Sequence, residues 1–221
     1  MPHQFLYFAD PMCSWCWGFS PVIEEVEKQY GGRIPVRLVM GGLYPGTNRS
    51  LTPTAKQTIR EHWQHVYVAS GQPFDHAFFD REGFVYDTEP ASRAVVAVRR
   101  QRPELALPFL RHLHKAFYAD NRDVTDGDVL CDLSGEFGID RDVFAGVYSD
   151  ETTVSQTQSD FAMSRQAGIT GFPTLLVGSD TAGYDVITHG YQPWAGLEVR
   201  IQAWEKRAQI PTKPPVSRSN A

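Results

Sequence analysis

Phe5-Leu6-Tyr7-Phe8-Ala9-Asp10-Pro11-Met12-Cys13-Ser14-Trp15-Cys16-Trp17-Gly18-Phe19 begins as a short aromatic run and stops at Asp-Pro, the pattern of a buried strand. Two cysteines follow at once. Downstream, Ser20-Pro21 precedes apolar residues at Val22, Ile23, Val26 and Tyr30, and Gly31-Gly32 closes the segment, so the spacing predicts an amphipathic helix. Arg33 to Met40 then puts Ile34, Val36, Leu38 and Met40 on one face of a second strand, stopped by Gly41-Gly42. A helix of this length between two strands is a βαβ unit, with parallel strands and a right-handed crossover.

Further out the pattern changes. From Leu51 to about Arg165 helical patterns cover 54–69, 89–101, 103–119, 127–137, 140–148 and 153–167, and no convincing strand interrupts them. Thr88 before Glu89-Pro90 and Asp126 before Gly127 mark two of the starts. Two β-rich runs, Thr174 to Val177 and Tyr184 to His189, flank the polar turn 178–183 and predict an antiparallel hairpin. A last helix over 193–207 carries Trp194, Leu197, Ile201 and Trp204 at helical spacing. The expected organisation is β-α-β, helical insert, β-β-α: an α/β domain over 1–50 and 168–208, an all-helical insertion over 51–167, and a flexible tail over 209–221.

The chemistry lies in Cys13-Ser14-Trp15-Cys16, between strand and helix, where two sulfurs on the first helical turn can meet in a small disulfide ring. Unpaired N–H groups and the positive end of the helix macrodipole stabilise a thiolate at the outer residue. Cys13 is therefore the expected nucleophile and Cys16 the resolving cysteine. Ser14 and Trp15 lie where they tune the couple, the Ser14 hydroxyl as a donor to the Cys13 sulfur, and the Asp10 carboxylate stands where it can take a proton from Cys16 or stop the strand. Trp15 is read as exposed and part of an apolar platform for peptides, Trp17 and Phe19 as core. The competing readings are two small buried hydrophobes or half of a zinc site. Zinc needs about four ligands, and beyond His62-x-x-His65 no second paired spacing accompanies the cysteines. Cys131, beside Leu130 and Leu133, reads as a quiet, partly buried thiol. Gly41 to Gly46 reads as a connector near the strand ends where α/β sheets place ligands.

Composition narrows the field. In 221 residues, 21 basic and 26 acidic side chains give a net charge of -5 without a basic stripe, which excludes a nucleic-acid partner. No stretch approaches the roughly 20 apolar residues of a membrane span, and the N-terminus lacks the basic and apolar regions of a secretory signal. A cytoplasmic location is the expectation. Three cysteines cannot form an all-paired disulfide framework.

Gly171-Phe172-Pro173-Thr174, leading into the late hairpin, makes the resemblance specific. Strand, Cys-x-x-Cys, helix, then x-Pro-Thr before a hairpin and a final helix resembles the thioredoxin fold, and the helical insertion resembles its DsbA-like branch. Within it, Phe8 to Phe19 is similar to the FrnE-like thiol–disulfide oxidoreductases, although the commonest DsbA dithiol has Pro-His between its cysteines. The resemblance implies a cis Pro173 facing the dithiol, with Phe172 and Pro173 presenting backbone to a substrate strand. It implies a thiol–disulfide oxidoreductase acting on disulfide- or thiol-containing proteins, with no metal or organic cofactor and glutathione as a candidate co-substrate. Two other functions stay open. Kappa-type glutathione transferases and 2-hydroxychromene-2-carboxylate isomerases share the fold but usually have Ser where this chain has Cys13 and lack the second cysteine. A non-catalytic, chaperone-like binder of unfolded chains would use the aromatic rim alone. Oligomeric state is not legible.

Overall fold

A computed structural model describes residues 2–210; the expected tail lies, from 211 on, outside the described residues. Strand β1 (Gln4–Ala9) is followed by helix α1 (Ser14–Tyr30) and strand β2 (Val36–Met40). Six helices come next: α2 (Pro53–Ser70), α3 (Glu89–Gln101), α4 (Ala106–Tyr118), α5 (Gly127–Gly135), α6 (Arg141–Ser149) and α7 (Glu151–Gln166). Strands β3 (Thr174–Ser179) and β4 (Gly183–His189) and helix α8 (Trp194–Arg207) complete the order read from sequence. Among the described residues no helix is long and apolar enough to cross a membrane.

The sheet order is β2-β1-β3-β4. β1 runs parallel to β2, with Phe5 opposite Val36, and antiparallel to β3, with Tyr7 opposite Leu175. Side chains alternate between two apolar faces, as a strand buried on both sides requires. Phe5, Tyr7, Leu38, Leu175 and Ile187 pack with Val22, Val26, Leu197 and Ile201 of α1 and α8. On the other face Leu6, Phe8, Val39 and Leu176 meet Met163, Ile169 and Phe172.

The dithiol lies on the first turn of α1, as its position between strand and helix implies, but the apolar spacing after Ser20-Pro21 covers only the later part of the helix: α1 runs from Ser14 with Pro21 inside. Proline has no N–H and leaves the carbonyl four residues back unpaired. That carbonyl is Trp17's, and Gln72 Nε2 donates to it at 3.3 Å, while Trp17 Nε1 donates to the Pro73 carbonyl at 3.0 Å. Gly18 lets α2 approach: a Cβ there would stand 2.8 Å from Val66. Asp126 caps α5 as expected, accepting from Asp128 and Val129 N–H. Thr88 is the N-cap residue of α3, the start that the sequence marks, but its hydroxyl makes no capping bond and accepts from Tyr44 N–H at 3.1 Å. A 3₁₀ helix at His76–Asp80 and an isolated bridge between Ser50 and Val85 were not read from sequence.

Candidate functional site

The dithiol sits on the link between β1 and α1, and that link is hydrogen-bonded at nearly every residue. Asp10 Oδ1 accepts from Met12 N–H at 2.9 Å, and the Asp10 carbonyl accepts from Cys13 N–H at 3.1 Å. Cys13 is the N-cap of α1, its carbonyl taking Cys16 N–H at 2.9 Å and Trp17 N–H at 3.1 Å. Its sulfur therefore stands at the end of the helix where orphan N–H groups favour negative charge. Both cysteines are free thiols; Cys13 is 6% exposed and Cys16 fully buried. Burial, reinforced by the adjacent Cys13 sulfur, holds the Cys16 thiol well above the ordinary range.

Opposite stands the segment before β3. The Phe172–Pro173 peptide bond is cis, and the Cys13 thiol donates to the Phe172 carbonyl at 3.5 Å. The outer end of the Phe172 ring abuts Gly41, where a Cβ would come within 2.3 Å of it. Gly41 is thus more than a connector: only glycine leaves room for the ring. Gly190 N–H donates to the Pro173 carbonyl at 2.7 Å and ties β4 to the same segment.

Asp10 is wholly buried and gathers donors from its own link, from the loop after β2 and from the start of α3. Its Oδ2 accepts from Leu43 N–H at 2.8 Å, and Thr88 adds a hydroxyl donor. Burial outweighs these hydrogen bonds and raises the carboxyl to about 6. His114 lies behind it, Nε2 3.0 Å from the Asp10 carbonyl and Nδ1 3.2 Å from Ser20 Oγ; burial lowers it to about 4. Tyr86 Oη donates to the Met12 carbonyl at 2.6 Å and lies 3.4 Å from Tyr118 Oη. Both tyrosines come from the helical insert and are buried beside the dithiol link.

The residues singled out from sequence converge here: Cys13, Cys16, Asp10, Trp15, Phe172 and Pro173. Two details differ. Trp15 is half-buried, because Tyr191 packs against it with ring centroids 5.7 Å apart and is itself tied to α2 by a hydrogen bond to the Ala69 carbonyl. Ser14 makes no hydrogen bond to Cys13; the partner of the sulfur is the Phe172 carbonyl. Trp17 and Phe19 are core, as read. Tyr7, Tyr86, Tyr118, His114 and Tyr191 were missed. The parity of β1 gives a signal for Tyr7 alone, which shares the inward face of Phe5 and Ala9. Among the described residues no three His, Cys, Asp or Glu side chains gather as metal ligands, and His62 and His65 point to solvent from α2. A cleft of about 640 Å³ along β2 and between α1 and α4 includes neither cysteine.

The model of the DSBA-like thioredoxin domain family matches residues 5–202. A structure from Nitrosomonas europaea, provisionally assigned as a protein disulfide isomerase, is 38% identical with a TM-score of 0.88 over 94% of this chain and 99% of that one. The cytosolic disulfide reductase DsbM of Pseudomonas aeruginosa, also solved with glutathione, is 22% identical with a TM-score of 0.75, covering 94% of this chain and all of its own. Among curated relatives, the ClpXP adapter protein SpxH of Bacillus subtilis is 23% identical over 175 residues, 79% of this chain. The chain spans 58% of that adapter's length. With the dithiol, the strand before it, the insert and most of the last helix inside the matched range, the chain belongs to the DSBA-like thioredoxin domain family.

Proposed function

We propose that this protein is a thiol–disulfide oxidoreductase that cycles Cys13 and Cys16 against protein or small-molecule thiols. One observation carries the reading: the two sulfurs are unequal. Cys13 stands at the helix N-cap against the Phe172 carbonyl, while Cys16 is fully buried with its proton held on. That is the division of labour between an attacking and a resolving thiol. In the reductive direction the Cys13 thiolate attacks a substrate disulfide and releases one substrate thiol. Cys16 gives up its proton, which leaves for solvent, and attacks the Cys13 sulfur, with the buried Asp10 carboxyl bearing on it through its charge. The second substrate thiol leaves, and the substrate has gained the two electrons that the dithiol lost.

Phe172 and Pro173 offer extended backbone to a substrate strand, Trp15 and Tyr191 an aromatic wall, and Ser14, Trp15 and Asp10 set the potential. Glutathione is the proposed small-molecule reductant and the cytoplasm the proposed setting, readings favoured by the DsbM relative. The test is a titration in glutathione redox buffers with thiol trapping and mass spectrometry. Reversible loss of two hydrogens confined to the Cys13–Cys16 peptide, with a mixed disulfide trapped in Cys16→Ser, is the expected result. A wild-type protein that only accumulates a glutathione adduct on Cys13 would replace this reading with the glutathione-dependent transferase one.

The adapter relatives favour a second reading, a protein-binding role independent of redox turnover. The double variant Cys13→Ser, Cys16→Ser separates the two, since it abolishes exchange and leaves binding of an unfolded chain intact.

A further inference from the structure

Tyr7 stands in the middle of β1 with its ring against Phe19 of α1, centroids 5.9 Å apart, and it is wholly buried. No nitrogen or oxygen satisfies its Oη, which is unusual for a buried hydroxyl. The groups that bear on it are the sulfurs of Cys16, to which it is hydrogen-bonded, and of Cys13.

Tyr7 also lines a narrow crevice between α1 and α4, about 10 Å³, close to the room one water needs. Ser20 and His114 line it with Tyr7, and Glu24 and Arg111, joined by an ion pair on the protein surface, stand at its mouth. Hydrogen-bond geometry fixes the protons inside. The Asp10 carbonyl can only accept, so His114 Nε2 carries the hydrogen and Nδ1 presents a lone pair to Ser20 Oγ. The single Ser20 hydrogen lies between Nδ1 and the Cys16 carbonyl, each 3.2 Å away, which leaves the Ser20 oxygen free to accept.

We propose that Tyr7 is a positioning residue for the resolving step: its hydroxyl holds the Cys16 sulfur as a thiolate, and the Ser20–His114 crevice is its route of proton exchange with solvent. The step rests on the oxidoreductase reading above and balances as follows. The S–H bond of Cys16 breaks as its proton passes to Tyr7 Oη, and Tyr7 hands its own hydrogen to a solvent water entering the crevice beside Ser20, which carries it out as hydronium. The phenol is left neutral, donating to the new thiolate. The thiolate forms the bond to the Cys13 sulfur, the bond from Cys13 to the substrate sulfur breaks, and the leaving thiolate is protonated from solvent. The charged and titratable groups facing this route are Cys13 and Glu24 from α1 and its cap, Asp10 from the end of β1, and His114 and Arg111 from α4. Asp10, whose carbonyl is bonded to His114, tunes the same sulfur through its charge.

The test uses the full chain carrying a glutathione mixed disulfide on Cys13, followed by the pH dependence of glutathione release. Tyr7→Phe keeps the ring and removes the hydroxyl. Its resolution is expected to slow at least about tenfold near neutrality, with the pH profile moved to higher pH, as for loss of one proton-transfer group. Attack of Cys13 on glutathione disulfide, the earlier step, should stay within about twofold of wild type, which a general loss of packing would not leave untouched. Resolution in Tyr7→Phe with the wild-type rate and pH profile overturns the proposal. Should that variant not fold, Ser20→Ala, which removes the acceptor inside the crevice, is read in its place with the same expected direction and the same overturning result. Failure of the oxidoreductase reading itself looks different: wild type would then never release the glutathione.

Discussion

Asp10 and His114 are bonded to each other through the Asp10 carbonyl, and their titrations oppose one another. In an unfolded chain Asp10 ionises near 3.8; in the reduced folded protein burial raises it to about 6. Folding therefore takes up a proton between those values, and the stability tied to this group is lost as pH rises through the window. The difference between the two corresponds to roughly 3 kcal/mol. His114 falls from 6.5 to about 4 because burial disfavours the imidazolium, so its contribution is present above 6.5 and is lost as pH falls through 4. Across pH 4–6 the two nearly cancel. Denaturant unfolding of the reduced protein at several pH values should show His114→Gln gaining stability on acidification relative to wild type. Asp10→Asn should show the reverse slope. Parallel curves for all three proteins would sink the idea. Little of this was legible: Asp10 announces itself by standing before the cysteines, but nothing in the spacing of His112 and His114 tells which one turns inward. That is settled by the packing of α4 against α1, a contact across about ninety residues of sequence.

At the scale of elements, helices and strands were legible because apolar spacing reports burial directly, and α3 was read to the residue. What sequence hid are the places where a distant side chain rescues a broken local rule. Gln72 lets α1 run through Pro21, and no window around Pro21 contains it. The outer edge of β2 is a second case. An edge strand leaves N–H and C=O groups open to pairing with another chain. Here the Glu27 carboxylate takes the Val36 N–H, Arg99 donates to the Leu38 carbonyl at 2.8 Å, and Asp160 accepts from Met40 N–H at 3.0 Å. Three side chains from α1, α3 and α7 thus occupy alternate edge groups, and Arg99 and Asp160 also pair with each other at 2.8 Å. Asp160→Ala should cost about 3 kcal/mol, since it strands a half-buried guanidinium and a backbone donor. It should also make the protein self-associate in proportion to concentration, which light scattering would register. An unchanged melting curve with a monodisperse monomer at all concentrations would mean that the plug is ornamental.

Over the whole molecule, the insert and the sheet share one apolar interior. Trp63 of α2 lies among Phe74, Phe78, Phe79 and Tyr118, and this aromatic body runs through Phe117 and Tyr86 to the loop that carries the dithiol. Boundaries drawn from composition alone treat 51–167 as a unit, because composition changes where the chain leaves the sheet; it does not report that Tyr86 reaches back. Insert and sheet should therefore unfold in one transition. Coincident denaturation curves from far-ultraviolet circular dichroism and from tryptophan fluorescence are expected, both in wild type and in a variant keeping Trp63 as its only indole. Two separated transitions would make the insert an independent folding unit.

The hydrogen bond between Cys13 and the Phe172 carbonyl joins residues 159 apart in sequence, and it also sets a timetable. Phe172 leaves the ribosome 159 residues after Cys13, with β3, the strand that pairs with both β1 and β4, directly behind it. At a synthesis rate of about 5–20 residues per second, the two thiols precede their shield by roughly 8–30 s. During that interval the nascent chain carries a reactive pair with nothing across from it, so the protein meets its first oxidants and reductants before it has a finished sheet.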